Sequence, residues 1–184
     1  MARTPSNMIP LGSKIQDYQL LDTVSGELLS TSQITTGANT LVMFICNHCP
    51  FVIHLHDGLK ALYADYKGKD VNFVAVSSND IINYPDDAPD KMTTLFKDLG
   101  LGFPYLYDEK QEFAKSLDAA CTPDFFLFDS SQQLVYRGRF DSSTPGNNEP
   151  VTGADIRQAL DALLSGEDIS SDQLPSIGCN IKWL

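Results

Sequence analysis

The sequence predicts an α/β protein, a mixed central sheet flanked by helices, and three observations carry that prediction. Residues 41–45 form a continuous apolar run, as a buried parallel strand does. A helical pattern and a second strand at 71–76 follow, which makes a right-handed strand–helix–strand unit. Residues 125–128 and 134–136 are apolar runs separated by the turn-rich Asp129, Ser130, Ser131 and Gln132, an antiparallel hairpin. Apolar residues at helical spacing recur in 92–99 and 156–164, supplying amphipathic helices to cover the sheet.

Taken in chain order, residues 18–22 and 27–30 flank Ser25 and Gly26 and read as an N-terminal hairpin. After the first buried strand, Leu55, Leu59, Leu62 and Tyr66 mark a helix over 50–66, which Gly68 stops. Residues 78–90 are a polar, acidic loop with Pro85 and Pro89. Pro89 suits the first turn of the next helix, with Met92, Leu95, Phe96 and Leu99 as its stripe and Gly100 at its C-terminal cap. Asp108 is placed to cap a short helix carrying Phe113 and Leu117. The last helix is expected to start near Thr152, whose spacing to Asp155 resembles a capping box, and to end at Gly166. Ile177, Ile181 and Trp183 alternate as in a strand, so the tail is expected to pack on the domain. The organisation expected is one domain over 1–184: an extension with its hairpin at 1–38, a core at 39–166 and a tail at 167–184.

At 184 residues and 42% hydrophobic, the chain can bury a core without disulfide staples. A net charge of −11 argues against nucleic acid and anionic membrane as partners, since both demand basic patches. No secretory leader and no run long enough to span a bilayer are visible, so a cytoplasmic location is expected. In a reducing compartment a close cysteine pair points to catalysis or metal binding rather than a scaffold disulfide.

That pair is Cys46 and Cys49, in FICNHCPFV (residues 44–52), where the buried strand gives way to a helix. A thiol there faces the positive end of a helix dipole, which favours the nucleophilic thiolate, and the C-x-x-C spacing lets the sulfurs reach bonding distance. His48, when protonated, lowers the first thiol's pKa further. Pro50 is tolerated in the first helical turn. The metal reading uses Cys46, Cys49 and a histidine for zinc or copper. Only one C-x-x-C occurs, and His54 and His56, two apart on a helix, face different ways. Thr122-Pro123 precedes the strand at 125–128, either as an ordinary turn or as a cis-proline loop beside the pair.

Strand, C-x-x-C, helix, then a distant Thr-Pro ahead of a hairpin and a last helix together resemble the thioredoxin fold. The likeness is to its redoxin branch, grouped with alkyl hydroperoxide reductase and thiol-specific antioxidant proteins. FICNHCPFV, ACTPDFF (120–126), GRFD (138–141) and SIGCNIKW (176–183) resemble a cytosolic subfamily of that branch. The resemblance implies a thiol-disulfide oxidoreductase without cofactor or metal. Cys46 would attack a substrate disulfide and Cys49 resolve it, with His48 and Asn47 modulating. Pro123 would be the cis-proline packed on the pair, and the Thr122 backbone would hydrogen-bond an extended substrate. Its partners would be protein or small-molecule disulfides and a donor such as a thioredoxin or glutathione system. Cys121 and Cys179 are either buried small hydrophobes or additional redox thiols.

The chain departs from the family pattern in three places. Thr40 stands where thioredoxins carry a buried acid. Asn47-His48 replaces Gly-Pro between the cysteines, a filling closer to disulfide isomerases and more oxidising pairs. An antioxidant thiol peroxidase is the alternative. Peroxidases need a proline seven residues and a Ser or Thr three residues before the reactive cysteine. Those places hold Val42 and Cys46 for Cys49, Asn39 and Met43 for Cys46, and Ala114 and Asp118 for Cys121. Copper chaperones of the fold space their cysteines by three residues, unlike this chain.

Overall fold

The computed structural model describes residues 3–184. Its main sheet orders seven strands as β3 (Leu28–Ser30), β2 (Gln19–Asp22), β6 (Tyr105–Tyr107), β5 (Val71–Ser77), β4 (Asn39–Phe44), β8 (Asp124–Phe128) and β9 (Leu134–Gly138). Strands β4, β5 and β6 run parallel, and the other pairings are antiparallel, so the sheet is mixed. A smaller sheet joins β1 (Arg3–Pro5), β10 (Ile177–Asn180) and β7 (Cys121–Thr122). The helices are α1 (Thr31–Thr35), α2 (Pro50–His54), α3 (His56–Tyr66), α4 (Pro89–Leu99), α5 (Glu112–Ser116) and α6 (Ala154–Ser165).

The central strand β4 is buried on both faces, which is why its sequence reads as an unbroken apolar run. Its side chains alternate between two cores. Leu41 and Met43 join Leu59 and Leu62 of α3, Phe96 of α4 and Leu160 of α6; Val42 and Phe44 join Phe113 and Leu117 on the α5 side. A strand sandwiched in this way holds the loop after it at a defined depth, and that loop carries Cys46 and Cys49.

The N-terminal hairpin, the 125–138 hairpin and the helices over 89–99 and 154–165 match the sequence pattern. Several details differ. The helix expected over 50–66 kinks at Leu55, whose N–H bonds to Val52 one residue short of α-helical spacing before Leu59 bonds back to Leu55. The α6 cap is Gly153 at φ 68°, not a Thr152–Asp155 box. Thr152 Oγ1 accepts only from Ala154 N, and the Asp155 carboxylate is drawn instead to Arg139. Gly153 is required twice over, because a Cβ there would also press on the Phe140 ring at 2.8 Å. Asp108 does cap α5, accepting from Phe113 and Ala114 N–H. In the tail, the alternation of Ile177, Ile181 and Trp183 does not mark a common buried face: Ile177 and Trp183 are exposed, while Gly178, Cys179 and Ile181 are buried. The reason is that β10 is inserted between β1 and β7, with Gly178 pressed onto the Thr122–Pro123 backbone.

Candidate active site

Strand β4 ends at Phe44, and Ile45 N–H still bonds to Val76, so the chain leaves the sheet immediately before Cys46. Cys46, Asn47 and His48 form an open turn. Cys49 is the N-cap of α2, with Pro50 in the first turn. Opposite them stands the Thr122–Pro123 peptide, which is cis. Cys46 Sγ lies 3.4 Å from Thr122 Oγ1, and Cys49 Sγ lies 3.1 Å from the Thr122 carbonyl, which accepts its thiol proton. The two cysteines are in the dithiol form and both are buried.

The acid beside this pair is Asp87, in the turn between β5 and α4. It is completely buried. Its Oδ1 accepts from the Asn47 and His48 backbone N–H groups at 2.7 and 3.3 Å; its Oδ2 contacts His48 Nδ1 at 2.7 Å and accepts from Asn79 Nδ2 at 2.8 Å. Four polar contacts on one carboxylate use its acceptor capacity, with Nδ1 of His48 as the donor in the ring contact. The imidazole is partly exposed and stacks on Tyr84 at 5.4 Å. Asn47 ties the turn down from its other side, donating to the Asp86 carbonyl and accepting from the Tyr105 hydroxyl. Thr40, the second residue of β4, is buried with its hydroxyl donating to the Ala38 carbonyl, and a threonine supplies no acid to the pair. Asp87 went unnoticed in the sequence because it belongs to a loop read only as polar and acidic.

These surroundings revise where the charge on the pair resides. The hydrogen bond from Cys46 is the main cause that lowers Cys49 to about 4, and contacts with Thr122 and Cys179 add to it against the cost of burial. The same hydrogen bond, burial and the Asp87 carboxylate push Cys46 well above an ordinary thiol. The pair therefore titrates as a unit, one proton leaving early and the other shared and held. The geometry differs from the one expected to activate Cys46. The helix begins at Cys49, and the His48 ring is turned onto Asp87, whose negative charge faces Cys46. Thiolate absorbance near 240 nm should accordingly rise by one equivalent with a midpoint near 4. Reduction of the disulfide between about pH 5 and 8 should then consume one proton per two electrons, a slope of ~30 mV per pH unit. A single titration near 9 would refute the shared-proton arrangement.

The Redoxin family model matches residues 10–156. The chain belongs to the redoxin family. This redoxin is 50% identical to an uncharacterized conserved protein from Geobacillus kaustophilus, over 100% of this chain and 97% of that one, with a TM-score of 0.97. It is 45% identical to a hypothetical protein from Sinorhizobium meliloti 1021, over 98% of each chain, with a TM-score of 0.94. The thioredoxin domain of a thiol-disulfide oxidoreductase from Bacteroides vulgatus is 15% identical, over 81% of this chain and 96% of that one. Its TM-score of 0.61 shows a shared thioredoxin-like fold. No curated protein matches the chain. Among the described residues, no helix is long and apolar enough to cross a membrane.

The remaining sequence candidates fall at different distances from the pair. Cys121 precedes Thr122 in β7, so its side chain points to the opposite face; its Sγ meets the Pro123 carbonyl at 3.5 Å, and burial, then Asp124, pushes its pKa up. Cys179 is the register partner of Thr122. His54 meets Ser143 at 2.7 Å, and burial lowers the pKa of His56.

A metal would find one ligand atom each on Cys46, His48 and Asp87, all within 4.8 Å of one another. The fit is poor. The carboxylate already receives four hydrogen bonds, and the His48 nitrogen facing it is a donor at hydrogen-bond distance, too close for both atoms to bind one ion comfortably.

Asp124, next to the cis-proline, is buried and bonded by Ser6, and burial raises its pKa to about 7. Between its unfolded value of 3.8 and about 7, the folded chain binds the extra proton, so this group's contribution to stability is present at low pH and is lost as pH rises through that window. The full loss is about 4 kcal/mol. Asp124→Asn should flatten the decline in urea midpoint between pH 4 and 7; an unchanged profile would show that Asp124 is ionised at ordinary cost.

Proposed function

We propose that this redoxin is a thiol-disulfide oxidoreductase working through Cys46 and Cys49. The observation that supports it most is that both sulfurs converge on one residue, Thr122, through its hydroxyl and its carbonyl, beside a cis-proline. The redoxin family and the thioredoxin-like fold support a redox role in general.

The shared proton suggests the order of events. Passing it from Cys46 to Cys49 frees a Cys46 thiolate on the side nearest Asp87 and the partly exposed His48. That thiolate attacks a substrate disulfide, forming a Cys46–substrate bond and expelling one substrate thiolate, which takes a proton from solvent. Cys49, deprotonated again, attacks Cys46 Sγ, closes the Cys46–Cys49 disulfide and releases the second substrate thiol. Two protein thiols are oxidised as one substrate disulfide is reduced. A dithiol donor, such as a thioredoxin or glutathione system, restores the pair. Stabilising the thiolate in the reduced form raises the potential by tens of millivolts above the ~−270 mV of a dedicated reductant, which favours accepting electrons.

Cys49→Ala removes the resolving thiol and should leave Cys46 joined to substrates in mixed disulfides that survive acid quenching. Purification of this variant with no covalent adducts, after exposure to protein disulfides, would defeat the proposal. The metal reading is weakened because the His48 Nδ1 atom beside the cysteines is already engaged by Asp87. Stoichiometric zinc or copper in protein purified without chelator would restore it.

A further inference from the structure

The resemblance assigns the backbone edge at Thr122 to an extended substrate, but here the chain's own β10 holds that edge. Cys179 pairs antiparallel with Thr122, and Asn180 with Cys121. The approach is close enough that a Cβ on Gly178 would lie 2.0 Å from the Thr122 carbonyl oxygen, so only glycine allows it. Residues directly opposite on antiparallel strands share a face, with Cβ atoms about 5 Å apart. The Thr122 side chain on that face reaches Cys46 at 3.4 Å, and the Thr122 carbonyl meets Cys49 at 3.1 Å. Cys179 therefore faces the dithiol, and it is buried in the same apolar cluster as Cys46 and Cys49.

We propose that β10 is a built-in substrate strand and that Cys179 is a third redox thiol, exchanging with the Cys46–Cys49 disulfide. The proposal rests on the oxidoreductase reading of that pair. In the exchange, the Cys179 thiolate attacks Cys49 Sγ. A Cys49–Cys179 bond forms, the Cys46–Cys49 bond breaks and Cys46 leaves as a thiolate, with no net oxidation and no further reactant. The disulfide supplied to the pair by substrate is thereby stored one step deeper, and Cys46 is again available to attack. Charge favours the exchange only after oxidation. In the reduced protein burial and then the hydrogen bond and charge of Cys49 push Cys179 up to about 12, whereas Lys182 lowers it. Disulfide formation removes the Cys49 charge and leaves the Lys182 effect.

The test is disulfide mapping after oxidation with oxidised glutathione and acid quenching. In Cys46→Ser, Cys179 should displace glutathione from Cys49, giving a Cys49–Cys179 crosslinked peptide in most molecules. In the wild type the same peptide should accompany the Cys46–Cys49 one. Gly178→Ala, which drives β10 off Thr122, should lower the Cys49–Cys179 yield at least ~5-fold, measured as a ratio to Cys46–Cys49 in the same sample. If wild type closes Cys46–Cys49 yet Cys46→Ser stops at the glutathione adduct, the third-thiol proposal is wrong while the oxidoreductase reading stands. If wild type closes no Cys46–Cys49 disulfide at all, the parent reading fails first.

Discussion

Cys46→Ser is expected to abolish turnover of disulfide substrates, by at least ~10³-fold, because an alcohol can neither form the mixed disulfide nor be displaced from it. The measurement is reduction of a small aromatic disulfide and of a protein disulfide with a dithiol as final donor. Cys49→Ser should be equally inactive in turnover but should retain one round of attack, seen as a stoichiometric burst of released thiol. That split separates an attacking from a resolving cysteine, which burial alone does not, since both sulfurs are covered. Should Cys46→Ser release its first thiol as fast as wild type and Cys49→Ser only slowly, the roles are reversed, and Cys49, whose pKa is the lowered one, is the attacking thiol.

Asp87→Ala is expected to be the most damaging substitution outside the core. It leaves the Asn47 and His48 N–H groups, His48 Nδ1 and Asn79 Nδ2 without their acceptor in a buried turn. The loss should be about 3–5 kcal/mol, a fall of roughly 10 °C in Tm for a chain of this size. Asp87→Asn retains one acceptor oxygen and most of the shape, so it should fold with a smaller loss. It also removes the negative charge that helps to push Cys46 up. The second proton of the pair should then leave at lower pH, visible as a downward shift of the upper limb of the 240 nm titration. A Tm within 2 °C of wild type for Asp87→Ala, or an unmoved upper limb for Asp87→Asn, would remove Asp87 from the site.

Much of this molecule was legible in one dimension because the information is local. The apolar run in β4, the stripe of Met92, Phe96 and Leu99, and the turn between β8 and β9 each report a period or a turn signal within a dozen residues. The short elements were not: β6 has three residues and β7 two, too few for any periodicity to register, although they complete one sheet and seed the other. The kink at Leu55 was hidden for a related reason, since the apolar spacing runs straight through it.

The sequence by itself determined the fold class and the strand-to-helix junction that carries Cys46 and Cys49, and left Thr122-Pro123 open between an ordinary turn and a cis-proline loop. Side-chain periodicity dictates which faces are buried, and burial dictates how those segments stack. Only the tertiary structure decided that Asp87 is the acid beside the thiols, that both sulfurs converge on Thr122, and that β10 fills the edge at Thr122 with Cys179 facing the pair. Each of these depends on segments far apart in the chain brought within hydrogen-bond distance, where one buried carboxylate or one glycine contact changes the chemistry of a thiol. No local pattern encodes which distant residue arrives there.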